Sequence, residues 1–457
     1  MTMTNAQRQE NRYRTVWRWH FYAGLFCVPF ILWLSVTGGL YLFKPQIEAM
    51  IDRPYAGLAY TGELASPAEQ ARAATAAVPG SVLHRFVLSD RIDQATQVVV
   101  GKGAEETRVY VHPQTLAVLK TVGEEDRMMR VVFRLHGELM AGAFGSMLVE
   151  LAASWAIVML LTGLFLWWPR AGAGLGGTLY PRLRRGKAVF WRDLHAVTGI
   201  WISVLVIFLI LTGLPWANNW GNYLKAVRGV AAGYAEKQDW SAGSASDARD
   251  RAALDKGARM MMGEHADHGG MVMMHRAGPL GALDMIVPRA QVLALAGPVE
   301  ISPPTGAGGI WMVKSSAANR PLRTSIGMDG ATGAIVSRED FDQRPFVDRA
   351  IGIGVAAHEG ALFGWLNQLI GLATVSGLFL LAVSAIVMWW RRRPGGALGA
   401  PAPQGVIRHS WLLVGLVVAL GFVVPLFGIS LALVVALERL LLRRTAGPAQ
   451  WLGLRVA

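Results

Sequence analysis

The strongest constraint on the fold of this chain is an apolar run of membrane-spanning length that occurs twice with the same internal spacing. The run from Trp191 to Ala217 is flanked by basic residues, and His195 stands where its apolar stretch begins. A second copy begins at His20, and in both copies a glycine follows the histidine by four residues and a Thr-Gly pair follows it by seventeen. About 20 apolar residues cross a bilayer as a helix. The matched spacing therefore predicts two repeated transmembrane helices.

The composition supports a membrane protein that crosses the bilayer several times. Of the 457 residues, 53% are hydrophobic and 16% are charged, a balance typical of polytopic membrane proteins. The formal net charge of +13 comes from lysines and arginines that cluster beside the apolar runs, where the positive-inside rule expects them. We therefore predict membrane lipid as a partner and no nucleic acid.

A second pair of apolar runs completes the repeat. His136 precedes Trp167-Trp168 by the same interval at which His358 precedes Trp389-Trp390. The chain thus consists of two parallel halves, each with a span, an external insert and a second span. The predicted fold class is an α-helical polytopic membrane protein, with four main spans in two repeats, a C-terminal hairpin and two small α+β external domains.

The basic flanks put both termini in the cytoplasm and set the predicted boundaries. These are 1–43 for the N-terminus and first span, 44–130 for the first external domain, 131–168 for an interfacial segment and the second span, 169–192 for a basic cytoplasmic loop, 193–217 for the third span, 218–349 for the second external domain with an insertion, 350–390 for an interfacial segment and the fourth span, 391–410 for a cytoplasmic linker, 411–442 for the hairpin and 443–457 for the tail.

The last apolar region allows two interpretations. Residues 411–442 are too many for one helix across an average bilayer, and Pro425 and Gly428 interrupt them. We predict a tight hairpin of two short helices and six spans in total. A single kinked or tilted helix, which would give five spans, is the alternative.

Four histidines, His20, His136, His195 and His358, stand near the N-terminal ends of the four main spans. Because alternate spans run in opposite directions, the first and third of these lie near the cytoplasmic face and the other two near the external face. Each level would hold one histidine from each half, which permits two bis-histidine b-type haems and an electron path across the membrane. The only cysteine, Cys27, excludes a CxxCH haem attachment, so the haem would be held non-covalently. The alternative is that these are polar residues at the membrane interface.

The segment from Arg259 to His275 is rich in soft metal ligands. Thioether and imidazole groups suit copper, so we predict metal contact there, with copper reduction as a further possibility. A loop with chance methionines is the alternative. The candidate ligands are Met260, Met261, Met262, His265, His268, Met271, Met273, Met274 and His275.

No part of the chain predicts a nucleotide-binding domain. Gly172 to Gly177 formally matches GxGxxG, but it follows a membrane exit and no βαβ unit surrounds it. The electron donor must then be another molecule, such as a quinol or a separate reductase.

Several short motifs resemble the PepSY-associated transmembrane family, which includes inner-membrane proteins of iron uptake and ferric-siderophore reductases. They are WHFYAG at 19–24, LHAVTG at 194–199, LHGELM at 135–140, AHEGAL at 357–362 and TGLFLWWPR at 162–170. The external inserts resemble PepSY domains, whose usual strand, D-P-x-T-G and strand ending corresponds to YVHPQTLAVL at 110–119 and MDGATGAIV at 328–336. The first has His112 and Leu116 at the Asp and Gly positions, and the second has Gly330 at the Pro position.

The resemblance implies a bacterial inner-membrane protein with periplasmic PepSY domains that passes electrons through b haems to ferric iron in a siderophore or another metal chelate. Carried over by residue, the haem ligands would be His20, His136, His195 and His358. Two alternatives stay open. The chain could be a membrane-anchored PepSY module that regulates peptidases, or a permease for siderophores.

Overall fold

The computed structural model describes residues 5–89, 91–169, 174–232, 244–267, 279–305, 309–401 and 411–454. The chain divides into two compact units. The first contains Met1–Leu40, His136–Glu236 and Leu369–Ala457, and the second contains Tyr41–Leu135 and Lys237–Gln368.

The described helices and strands follow one another along the chain. The helices are α1 (Asn5–Tyr41), α2 (Lys44–Asp52), α3 (Pro67–Ala77), α4 (Met128–Glu138), α5 (Gly142–Trp167), α6 (Lys187–Gly213), α7 (Asn218–Ala232), α8 (Ser244–Asp267), α9 (Ala282–Val292), α10 (Phe346–His358), α11 (Trp365–Arg392), α12 (Trp411–Val423), α13 (Pro425–Leu440) and α14 (Ala446–Leu452). The strands are β1 (Val82–Val87), β2 (Thr96–Lys102), β3 (Glu105–Val111), β4 (Val118–Gly123), β5 (Val299–Ser302), β6 (Ile310–Ser315), β7 (Thr324–Asp329) and β8 (Ile335–Asp340).

Five helices of the described chain are long and apolar enough to cross a membrane. They are Gln9–Tyr41, Gly142–Trp167, Lys187–Trp216, Trp365–Arg392 and Pro425–Arg444. The first four coincide with the four main spans that the repeats predict, because each repeat unit contributes one uninterrupted apolar run on either side of its insert.

The C-terminal apolar region forms two helices that lie side by side. Only Val424 separates α12 from α13, and Pro425 opens the second helix, where a missing backbone N–H costs no hydrogen bond. The two helices approach closely at glycines, since a Cβ added to Gly421 would lie 3.3 Å from the Cα of Gly428. This arrangement agrees with the predicted hairpin rather than with one kinked helix, although α12, with 13 residues, is shorter than the five candidate spans.

The strands of both inserts belong to one sheet. Its order is β4-β3-β2-β1-β5-β6-β7-β8, so two four-stranded meanders join where β1 pairs antiparallel with β5, at Phe86↔Ile301 and Val87↔Glu300. The sequence predicts two separate small domains. The structure instead joins their sheets into one, because the first strand of each meander leaves an edge that the other can pair with.

Helices α3 and α9, one from each insert, contribute to a shared core against the sheet. This core contains Ala71 and Ala74 of α3, Ile286 of α9 and apolar residues from β1, β2, β3, β5, β6 and β7. A capping box begins α3, in which the Ser66 side chain accepts from the backbone of Glu69 and the Glu69 side chain accepts from Ser66. Each insert thus supplies half of one hydrophobic core.

Buried ion pairs stabilise the β3 side of the sheet. Arg108 Nε donates to Glu124 Oε1 at 2.5 Å, and Arg127 forms an ion pair with the same carboxylate at 3.4 Å. Burial, which is the largest influence, raises the pKa of Glu124, but the two guanidinium groups together outweigh it and lower that pKa to about 2. Glu124 is therefore ionised in the folded protein except in strong acid.

Candidate functional site

Two of the predicted histidines face each other between helices of the first unit. His20 of α1 and His195 of α6 have ring centres 6.4 Å apart, and their ring planes are nearly perpendicular at 84°. The two rings come from the two copies of the repeat, as the sequence predicts.

A hydroxyl group from a neighbouring helix orients each of these imidazoles. Nδ1 of His20 lies 3.0 Å from Thr162 Oγ1 on α5, and Nδ1 of His195 lies 3.0 Å from Ser384 Oγ on α11. The carbonyl of Leu381 is also close to the second ring, at 3.2 Å. The two contacts are equivalent in the repeat, because each hydroxyl residue precedes its Trp-Trp pair by five positions.

The hydrogen-bond network fixes the tautomer of both rings. Thr162 Oγ1 donates to the Val158 carbonyl at 2.7 Å, and Ser384 Oγ donates to the Leu381 carbonyl at 2.9 Å. Because each hydroxyl has only one proton to donate, its oxygen must accept from the histidine, which puts the imidazole proton on Nδ1. Nε2 of each ring then carries the lone pair that can bind a metal.

This arrangement fits a metal centre held between two imidazoles. An imidazole-metal bond of about 2 Å on each side separates the two ring centres by about 6 Å, close to the observed spacing. Metal-ligating histidines also usually donate the other ring N–H to a fixed acceptor, as Thr162 and Ser384 provide here. His20 and His195 are therefore suited to hold a b-type haem iron through Nε2.

His136 occupies a similar environment at the other end of α1. Its Nδ1 lies 2.9 Å from Thr37 Oγ1, and that hydroxyl donates to the Trp33 carbonyl at 2.9 Å. The same argument puts the imidazole proton on Nδ1. Thr37 lies 17 residues after His20, which corresponds to about 25 Å along the helix. The two histidine levels are thus separated by most of a bilayer core of about 30 Å.

Two glycines make room for these imidazoles. A Cβ added to Gly38 would lie 3.0 Å from Cε1 of His136, and one added to Gly163 would lie 3.2 Å from Cε1 of His20. Each glycine directly follows the threonine that binds the ring. Thr37-Gly38 and Thr162-Gly163 thus act alike: the hydroxyl orients the imidazole, and the missing side chain lets it approach.

The other predicted ligands are His358 and the residues of the Met/His-rich segment. His358 ends α10 in the second unit. Of the Met/His-rich segment, Met260, Met261, Met262 and His265 lie in α8, with the Met260 side chain exposed. The other candidates, His268, Met271, Met273, Met274 and His275, fall outside the described residues. Within the described ranges, no three His, Cys, Asp or Glu side chains form a metal-binding group.

Thr162 and Ser384 are the site residues that sequence reasoning missed. Their common offset from the Trp pairs is visible in the sequence, but one is a threonine and the other a serine, and the Thr-Gly pattern does not include Ser384. Only the packing of α5 against α1 and of α11 against α6 reveals their contact with histidine.

Comparison with protein families matches the chain to the family described as "PepSY-associated TM region", over residues 17–392. The matched range covers well over half of the chain and contains all four predicted haem ligands. Comparison with curated proteins finds no match.

Proposed function

The chain belongs to the PepSY-associated transmembrane family, and from that premise we propose that it is a di-haem b oxidoreductase of the bacterial inner membrane that reduces ferric siderophores or related metal chelates in the periplasm. The observation that carries this proposal is the His20–His195 pair, with ring centres 6.4 Å apart.

Bound haem iron would supply one-electron transfer by cycling between its ferric and ferrous states. The residues of this chain would do the rest. The Nε2 lone pairs of His20 and His195 would bind the iron, while Thr162 and Ser384 would hold each ring by its Nδ1–H. The apolar surfaces of the surrounding helices would exclude water from the site.

His136 supports a second site at the other level. Its ring is oriented by Thr37 in the way that Thr162 orients His20. We propose His358 as its partner ligand, because it is the equivalent residue in the other half of the repeat. Two sites separated by about 25 Å along α1 would give electrons a route across the membrane.

The proposed substrate follows from metal-ligand preferences. Oxygen donors are hard ligands that suit ferric iron much better than the softer ferrous ion. Reduction in the periplasm would therefore weaken the chelate and release iron. The positive flanks of the spans support cytoplasmic termini, so that electrons would enter from the cytoplasmic side.

The experiment that tests the haem is a dithionite-reduced minus oxidised absorbance spectrum of purified protein, with pyridine haemochrome quantification. We expect about two b haems per chain in the wild type and about one in His195→Ala. His112→Ala is the matched control, since Nδ1 of His112 accepts from the backbone of Gln114 and Thr115 in a strand-connecting turn. A wild-type protein expressed with ample haem that contains none would refute the proposal.

The substrate is tested separately, on protein that contains haem. Dithionite-reduced protein is mixed with ferrioxamine B or ferric enterobactin, and ferrous iron is trapped with ferrozine while haem reoxidation is followed. We expect haem reoxidation and ferrous iron to appear together, and His136→Ala to slow both. Haem that stays reduced with both chelates would rule out siderophore reduction while leaving the haem sites intact.

A further inference from the structure

The C-terminal hairpin contains an apolar groove with a single cation at one end. The groove, of about 670 Å³, runs between α12 and α13 and is lined by Val418, Gly421, Phe422, Leu431 and Val435, with Arg439 at its far end. From Gly428 to Arg439 it extends about 16 Å along α13. Its shape suits a ligand with a long apolar tail and a polar head.

Arg439 is available to such a head group. It is the one charged residue among those that line the groove, and in the described part of the chain its guanidinium makes no hydrogen bond and no ion pair. Its neighbours Glu438 and Arg443 pair with each other instead, at 2.6 Å. A guanidinium group without a partner at the end of an apolar groove can donate hydrogen bonds to a ligand oxygen.

The polar end of the groove lies at the level of the His20–His195 pair. Helix α13 contacts α5 where Trp155 Nε1 donates to Ser430 Oγ at 3.1 Å. From that contact, Thr162 is about 10 Å further along α5 and Arg439 about 14 Å further along α13.

Contacts of the segment after α13 show that the C-terminal end of α13 lies toward the His20 end of α1. There, Gly453 accepts from Arg18 Nη2 at 3.0 Å and Leu452 accepts from the Tyr22 hydroxyl. Both of these contacts flank His20 on α1. Arg439 and Thr162 therefore lie toward the same end of the bundle.

We propose that this groove binds an isoprenoid quinol, which is the electron donor of the haem held by His20 and His195; the inference rests on the proposed function. The tail would lie along α12 and α13, and a ring oxygen would accept from Arg439. A phospholipid would fit the tail equally well, but phosphate head groups are usually bound by clusters of basic residues and here the lining offers one cation.

The chemistry of the step balances without a further co-reactant. Oxidation of the quinol breaks its two O–H bonds and leaves the quinone. The two electrons would pass one at a time to the two ferric haems, each taking one, and the two protons would pass to water at the membrane surface.

The test uses four variants of the full chain in two matched pairs. Ala432→Phe fills the groove, whereas Val434→Phe adds the same ring to α13 at a position that does not line it. Arg439→Gln removes the cation at the end of the groove, whereas Arg444→Gln removes a cation outside it. Binding of decylubiquinone is measured by quenching of tryptophan fluorescence, and haem reduction by decylubiquinol is compared with reduction by dithionite.

We expect Ala432→Phe and Arg439→Gln to weaken quinone binding and slow quinol-driven reduction by about tenfold, as the loss of one charged hydrogen bond or of tail contacts would do. Dithionite-reducible haem should not change. The proposal would be overturned if quinone fails to bind the wild type, or if Val434→Phe and Arg444→Gln weaken binding as much as their partner variants. It would also be overturned if the groove holds a phospholipid that quinone does not displace. Wild-type protein that contains no haem but still binds quinone would refute the proposed function and the donor role, while the groove would remain a quinone-binding site.

Discussion

Replacing Thr162 with valine tests whether a hydroxyl on α5 determines the haem affinity of His20. The change replaces the Oγ1 atom, 3.0 Å from Nδ1 of His20, with a methyl group that cannot accept a hydrogen bond. The imidazole would then lose the acceptor that fixes its tautomer and its orientation. Helix α5 itself should tolerate the change. The Thr162 hydroxyl donates to the carbonyls of Val158 and Met159, which already accept hydrogen bonds from the helix backbone.

The expected magnitude follows from the geometry. Outer hydrogen-bond partners of metal-ligating histidines contribute about 10- to 100-fold to metal affinity, or about 1.4–2.7 kcal/mol. We expect the lower half of this range, because Leu381 and Ser384 still orient His195, the other ligand. Haem titration into purified apoprotein, followed by the Soret absorbance, measures the effect on the pair.

Three controls make this prediction refutable. Thr162→Ser keeps the oxygen and should restore most of the affinity. Thr374→Val makes the same chemical change at a buried threonine of α11 whose hydroxyl donates to the Ile370 carbonyl, and it should have no effect. In the background of His20→Ala, Thr162→Val should cause no further loss. Equal losses in Thr162→Ser and Thr162→Val, or no loss in either, would contradict the role assigned to the hydroxyl.

Three further perturbations have defined outcomes. Gly163→Val should displace the His20 ring, because even a Cβ at this position would lie 3.2 Å from Cε1 of His20. The low-spin haem signal in electron paramagnetic resonance should then decrease, while the protein yield stays unchanged. Glu124→Gln should lower the free energy of unfolding by up to about 3 kcal/mol above pH 4.5, because the pKa of Glu124 is about 2 in the folded protein and higher in the unfolded chain. The difference between wild type and variant should disappear as the pH falls toward 2, and thermal melts followed by circular dichroism across this range measure it. Replacement of residues 259–275 by a Gly-Ser linker should abolish Cu(I) binding, measured by competition with a chromogenic chelator, and leave the haem content unchanged. If the variant with the linker still binds copper, residues 259–275 are not the copper site.

The positions of the histidines could be predicted from the sequence because they depend on spacing along single helices. Matched intervals from His20 and His195 to their Thr-Gly pairs imply the same helix length and the same depth in both halves. The meeting of these two rings then follows from the symmetry of the repeat, and the structure agrees with it.

The partners of the imidazoles could not be predicted in this way. Ser384 lies on a different helix from His195, nearly 190 positions away, and no pattern within one segment encodes a contact between two segments. The same holds for Arg439, whose level relative to His20 depends on how α13 packs against α5.

The sequence by itself determined the membrane class, the repeat and the helices, because hydrophobicity and helical period act over a few neighbouring residues. Only the tertiary structure decided that both inserts share one sheet, since pairing of β1 with β5 joins strands more than 200 residues apart. It also decided which hydroxyl binds which histidine, because a hydrogen bond depends on distances between atoms that only the packed helices define.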